Sequence, residues 1–187
     1  MQSKTHLSFA LSVATIPFFI EPSWIISIEL IPYFLGGISL GALFPDIDEP
    51  NSSIGRKTIV ISHLLNYIFG HRGFTHKFIF FLTPLLFTII FEDLINNQLI
   101  FIFLISFSFG ILLHQIGDML SGSKYYKGGI KDYFFPFVFN GSYFTPFPKI
   151  LRCAVGDYKE QIYNFAFTSL FIYEVYHIIT TTDLTRF

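Results

Sequence analysis

The sequence holds one cysteine, Cys153. An intramolecular disulfide is therefore excluded, and so is a thiolate-rich zinc ribbon; any metal bound here must be held through nitrogen and oxygen. Charge is scarce too. Only 13% of the residues are charged, against about 25% in ordinary soluble domains. A net charge of -1 provides no basic face to displace counterions from phosphates, so no nucleic-acid partner is expected. Internal repeats and low-complexity linkers are also missing, which makes residues 1–187 a single domain.

What fills the chain instead is apolar: 52% of it is hydrophobic, with 26 phenylalanines. Apolar runs near residues 7–20, 24–44, 78–91, 98–117 and 161–180 approach or reach the roughly 17 to 25 residues that cross a bilayer. The expected fold is all-α, a polytopic membrane helical bundle of about five spans. Lys4 ahead of the first run suggests a secretory signal, but TIPFFIEPS lacks a small-residue cleavage site, so that run reads as an uncleaved membrane helix.

Lysine and arginine resist translocation and so set the threading. With the N-terminus in the cytoplasm, Lys4, Arg56, Lys57, Arg72, Lys77, Lys124, Lys127, Lys131, Lys149, Arg152 and Lys159 fall inside and only Arg186 of the 12 falls outside. Glu21, Glu29, Glu92 and Asp93 take the external side. Lys57 and Lys77 read as anchors at the membrane surface. TIVISHLLNYIF is too short to cross; Ile61, Leu64, Leu65 and Ile68 repeat at helical spacing while Ser62, His63, Asn66 and Tyr67 face away, which predicts a short interfacial helix. DYFFPFVFNGSYFTPFP, broken by prolines and Asn140-Gly141, is expected to dip into the headgroups without spanning. Gly37 and Gly41 form a GxxxG step suited to close helix packing.

This threading rests on lysine and arginine alone, yet it brings His6, His63, His71, His76 and His114 to one face, leaving His177 opposite as a structural residue. In HQIGD, His114 and Asp118 stand one helical turn apart and could grip one ion near the inner-leaflet boundary, where an ionisable pair is costly and by default functional. In FPDIDEPNSS, Pro45 ends the helix, and Asp46 and Asp48 could share one ion, bridge two, or divide the work of ligand and base. In GHRGFTH, His71 falls in a loop and His76 at the start of the third run, with Gly70 and Gly73 permitting a tight path around Arg72. A guanidinium repels a metal cation but grips phosphate or carboxylate, so Arg72 suits a substrate anion. His6 enters from the same side.

Taken in order, LFPDIDEPNSSIG, FGHRGFTH and LLHQIGDML resemble the YdjM family of inner-membrane metal-dependent hydrolase-like proteins across nearly the whole chain. The resemblance implies a bacterial inner-membrane location, multi-pass, with a metal site and hydrolase activity. A more distant similarity is to the helical zinc-dependent phospholipase C and single-strand nuclease superfamily, and it implies as ligands His6, Asp46, one of His71 and His76, His114 and Asp118. Lys77 stands where the family usually has serine, and Glu49 where it often has histidine, so substrate contacts are expected to differ while the ligand set survives.

The chemistry expected from these residues is phosphoester hydrolysis at the cytoplasmic leaflet, lipid phosphoesters included. One or two divalent ions, Zn2+ or Mn2+, would be held by His6, Asp46, Asp48, His71, His76, His114 and Asp118, with Asp48 and Arg72 as catalytic residues. The alternative is a non-enzymatic metal-binding membrane scaffold or regulator. A transporter fits less well, because its ligands would sit at the midplane between repeated halves.

Overall fold

A computed structural model describes residues 1–21, 27–70, 73–121, 133–134 and 146–181. Among the described residues the chain is all-helical, without strands. Its helices are α1 (Ser3–Ile20), α2 (Ile31–Leu43), α3 (Ile59–Phe69), α4 (Phe78–Ile90), α5 (Glu92–Ile95), α6 (Gln98–Leu120) and α7 (Tyr158–Thr181). Short 3-10 turns at Phe44–Asp48, Gly55–Lys57 and Phe74–His76 join α2, α3 and α4. The helix α6 starts where the Asn97 side chain accepts hydrogen bonds from Leu99 N at 2.9 Å and Ile100 N at 3.1 Å. These satisfy amides that have no partner within the first turn.

The structure packs α2 chiefly against α6 and α1 against α7. The first pair meets backbone to backbone. A Cβ on Gly41 would lie 2.0 Å from the Phe107 carbonyl oxygen, one on Gly37 2.5 Å from that of Phe103, and one on Gly110 2.5 Å from that of Ile38. Small residues are thus required on both helices, and the GxxxG step of α2 is matched by Gly110 of α6. The register is parallel, since residue 37 lies by residues 103–107, residue 41 by 107–110 and Ala42 by His114.

The second pair is joined by polar contacts. The Ser8 hydroxyl bonds Asn164 Oδ1 at 3.1 Å, and the Thr15 hydroxyl donates to Glu174 Oε2 at 2.7 Å. Phe9 packs on Phe167 and Phe19 on His177. This register is parallel too, while the outward side of α7 shows Ile162, Phe165, Ile172 and Tyr176, all more than half exposed. Polar residues face inward and apolar ones outward, the arrangement expected where the surroundings are lipid and interhelical hydrogen bonds supply the glue.

Five helices coincide with the five apolar runs, but they are not equivalent. The segments Ile28–Asp48 and Gln98–Leu120 are long and apolar enough to cross a membrane. The helix α4 has 13 residues, about 20 Å at 1.5 Å per residue, short of the roughly 30 Å hydrocarbon core. The structure also corrects the reading of Lys77 as a surface anchor, because its side chain is only 2% exposed. Most of DYFFPFVFNGSYFTPFP lies outside the described residues.

The helix contacts make a direct prediction. Gly41→Val should disrupt the α2–α6 pair, at the upper end of the roughly 1–3 kcal/mol typical of overpacking, because backbone atoms block its Cβ. Gly36→Ala, whose Cβ would meet only Phe103 Cε2 at 3.8 Å, should be tolerated. Thermal unfolding of both variants in detergent reads the difference; equal melting temperatures would contradict the packing.

Candidate metal centre

At one end of the bundle, the C-terminal ends of α2 and α6 meet the N-terminal ends of α1 and α4. Each contributes side chains. The 3-10 turn after α2 carries Asp46 and Asp48, the turn before α4 carries His76, α6 carries His114 and Asp118, and α1 carries His6. His6, Asp48, His76, His114 and Asp118 are each at most 2% exposed, whereas the Asp46 side chain is 15% exposed.

Four donor atoms form a compact set. His76 Nε2 lies 3.2 Å from His114 Nε2, 3.7 Å from Asp46 Oδ1 and 3.4 Å from Asp118 Oδ2. His114 Nε2 lies 3.6 Å from Asp46 Oδ1 and 3.7 Å from Asp118 Oδ2. Donors about 2.1 Å from a tetrahedral ion stand about 3.4 Å apart. The five separations cluster on that value, so His76 and His114 fit one divalent ion together with Asp118 on one side or with Asp46 on the other.

The ring tautomers agree. His114 Nδ1 sits 2.7 Å from the Ala42 carbonyl oxygen, which can only accept, so Nδ1 carries the proton and the lone pair of Nε2 faces the other donors. On His76, Nδ1 faces Asp48 Oδ2 at 3.4 Å and Thr75 Oγ1 at 2.9 Å, again directing Nε2 inward. A carboxylate or carbonyl behind a histidine is the usual outer-shell support of a metal ligand. Asp48 is engaged in this way, and its Oδ2 also accepts the Thr75 hydroxyl at 2.5 Å.

His6 stands to one side. Its ring stacks on that of His114 with centroids 3.8 Å apart and 12° between planes. Gly117 makes room, since a Cβ there would lie 3.1 Å from His6 Nδ1. His6 Nε2 is 3.2 Å from Asp118 Oδ1 but out of line for a hydrogen bond, so both ring nitrogens are buried without a hydrogen-bond partner. Buried polar atoms are rarely left so. The same Asp118 oxygen lies 3.0 Å from the Met1 amino group and 3.2 Å from Ser121 Oγ. His71 and Arg72 lie outside the described residues.

The sequence reading passed over two residues at this site. Gln115 donates to the Lys77 carbonyl at 2.9 Å and accepts from the Tyr133 hydroxyl at 2.7 Å. It pins the turn bearing His76 to the helix bearing His114. Burial pushes the Tyr133 phenol up to about 12, so it remains a donor across the physiological range. The signal was available, because a glutamine beside a ligand histidine on an apolar helix needs partners of its own.

Burial opposes an imidazolium at His76, but the Asp48 carboxylate, with Asp118 and Asp46, outweighs it and holds the pKa well above the ordinary histidine value. In metal-free protein this proton stabilises the fold below the ordinary pKa, and that stability is lost as pH rises through the raised one. An incoming ion must displace it.

The described residues thus give an all-helical protein with two segments long and apolar enough to cross a membrane and a candidate metal centre of buried His and Asp side chains at one end. The chain belongs to the family described as YdjM inner membrane protein, whose family model matches residues 1–182. It is 32% identical over 77 residues to inner membrane protein YdjM of Escherichia coli (strain K12), which is 41% of this chain and 39% of that protein. It is 48% identical over 44 residues to the Bacillus subtilis (strain 168) protein YvsG, 24% of this chain and 28% of that one. These matches span well under half the length of either relative. No solved structure matches the chain.

Two outcomes follow from this geometry. Gln115→Leu should weaken zinc binding about 10- to 100-fold, as loss of outer-shell support does, and should also lower the melting temperature of metal-free protein, because the Lys77 carbonyl and Tyr133 hydroxyl lose a buried partner; competition with a chelating dye and thermal unfolding measure the two effects. Zinc affinity should also rise with pH until His76 is deprotonated, with about one proton released per ion from that residue. Calorimetry in buffers of different ionisation heat counts the protons, and no release at neutral pH would refute the account of His76.

Proposed function

We propose that the protein is a multi-pass inner-membrane hydrolase that uses a divalent ion, Zn2+ above Mn2+, to cleave a phosphoester at the cytoplasmic leaflet. One observation carries the reading: His76, His114 and Asp118 are fully buried donors, and the fourth donor, Asp46, is the partly exposed one. With Asp46 acting on water rather than on the ion, His76, His114 and Asp118 would be three protein ligands and leave a fourth position for water, the arrangement that distinguishes a catalytic site from a closed structural one. A bound divalent ion would lower the pKa of coordinated water to about 7 and polarise a phosphoryl oxygen.

The residues then divide the labour. His76 and His114 offer neutral Nε2 lone pairs, held in place by Asp48 and the Ala42 carbonyl. Asp118 supplies the buried carboxylate. Asp46, on the accessible side, is the group placed to take a proton from an entering water, a role the sequence reading gave to Asp48. Arg72, four residues before His76 in the sequence, is assigned to the substrate phosphate, where its guanidinium would offset developing charge.

Five spans are supported by the alternating helix directions, while the placing of the N-terminus and the site inside rests on the lysine and arginine bias of the sequence. The helices α1 and α7 run together, α2 and α6 run together, and α1 crosses α6 with its start, at His6, beside Gly117 near the end of α6.

A second reading has its own observation. Asp46 and Asp118 each stand at ligand spacing from His114, and if both bound the ion with the two histidines the site would be closed by four protein ligands, which would make the protein a metal-stabilised scaffold or regulator.

Metal analysis of detergent-purified protein, followed by a panel of phosphomonoesters, phosphodiesters and phospholipids, separates these. The hydrolase reading expects about one zinc per chain, lost in His114→Ala and Asp118→Ala, and metal-dependent turnover that falls about 10²-fold or more in Asp46→Asn. Protein without metal, or ligand variants with unchanged metal content, would refute the centre. Unfolding on chelation without turnover of any ester would establish the scaffold instead.

A further inference from the structure

The helix α3 is inverted with respect to a water-exposed helix. Its one buried residue is Ser62, Asn66 is partly buried and donates to the Asp48 carbonyl at 2.8 Å, and Ile59, Val60, Ile61, Leu64, Tyr67 and Ile68 are 51–90% exposed. A helix that turns its polar stripe to the protein and its apolar surface outward is not built to face water. At 11 residues it is about 16 Å long, too short to cross a bilayer. Arg56 and Lys57, both exposed, stand in the 3-10 turn Gly55–Lys57 just ahead of it. Cationic residues beside an apolar surface match an anionic lipid headgroup layer above acyl chains.

This helix is also wired to the metal centre at both ends. The chain before it carries Asp46 and Asp48; the chain after it carries His76. Asn66 holds the Asp48 backbone, and the Asp48 carboxylate backs His76 Nδ1 at 3.4 Å. The turn that follows packs directly on the helix end. A Cβ on Gly73 would lie 2.1 Å from the Phe69 carbonyl oxygen, and the Phe69 and Phe74 rings are 5.6 Å apart. Any displacement of α3 therefore moves two donors relative to His114 and Asp118, which are fixed on α6.

We propose that α3 docks on an anionic lipid surface and that this docking, transmitted through Asn66 to Asp48 and His76, sets the affinity of the metal centre. The inference rests on the centre binding metal but not on its hydrolysing anything. Lipid binding and metal binding are then linked, each strengthening the other by the same factor.

The test uses the full chain in nanodiscs of phosphatidylglycerol or of phosphatidylcholine, with zinc affinity read by chelator competition. Wild type should bind zinc about tenfold more tightly in phosphatidylglycerol, the scale of an outer-shell effect. The surface double variant Arg56→Gln/Lys57→Gln should lose that difference while keeping wild-type affinity in phosphatidylcholine. Asn66→Ala should lose the difference while still docking. Docking is followed independently of metal by quenching of a tryptophan at position 67 (Tyr67→Trp, with Trp24→Phe) by brominated phosphatidylglycerol. Equal zinc affinity in the two lipids, or an unquenched tryptophan, overturns the coupling and leaves the centre standing; no zinc in either disc overturns both.

Discussion

Where α2 crosses α6, the two backbones touch, and the rest of the site depends on that contact. In lipid the apolar tails compete with side chains for every apolar surface, so helices associate through close packing and hydrogen bonds rather than through a hydrophobic drive. Gly41 and Gly110 bring the backbones together, and the Ala42 carbonyl then reaches His114 Nδ1 at 2.7 Å. That bond consumes one ring nitrogen and aims the other. A wider crossing would leave a buried carbonyl and a buried imidazole without partners, at about 1–3 kcal/mol each. It would also free the ring to choose the wrong tautomer. The packing glycines thus have a chemical consequence although none of them touches a ligand.

The same end of the bundle gathers three carboxylates, Asp46, Asp48 and Asp118, around His76 and His114. Like charges at this spacing repel, and burial removes the water that would screen them. Such an assembly is stable only with positive charge inside it. In the absence of metal, the proton retained on His76 supplies part of that charge; a divalent ion supplies more and relieves the repulsion at its source. The centre is therefore strained toward cation binding by its own composition.

How much of this could be read from the sequence depended on local geometry. The HxxxD spacing of His114 and Asp118 fixes their relative position on any helix, and the charge threading brought His6, Asp46 and His76 to the same end. The division between Asp46 and Asp48 was not legible. In an α-helix or an extended turn, residues two apart have different relations than in the 3-10 turn Phe44–Asp48, where three residues complete a turn and the two side chains diverge to opposite edges of the His76 ring. Lys77 was misread because adjacent basic residues usually mark the membrane surface, and its burial arises from tertiary packing that no local pattern records. Glu174, 1% exposed in α7, was hidden by averaging, since one acid hardly alters the hydropathy of a long apolar run. On α3, Ser62 and Asn66 do face the protein, but His63 and Tyr67, grouped with them by periodicity, are exposed; the inward stripe is narrower than the polar face.

Lone pairs bound the number of ions. The donors fall into two overlapping groups, Asp46 with His76 and His114, and His6 with His114 and Asp118. Both need His114, but its Nδ1 is committed to Ala42, which leaves a single lone pair on Nε2. One lone pair serves one ion, so the groups cannot fill separately with His114 in each. Asp118 resolves the overlap: Oδ2 faces His76 and His114, while Oδ1 faces His6. An ion among Asp46, His76, His114 and Asp118 therefore leaves His6 against the far oxygen of the same carboxylate. That oxygen also accepts from the Met1 amino group at 3.0 Å and from the Ser121 hydroxyl at 3.2 Å, which hold the carboxylate against rotation and place a positive charge where a second cation would have to enter.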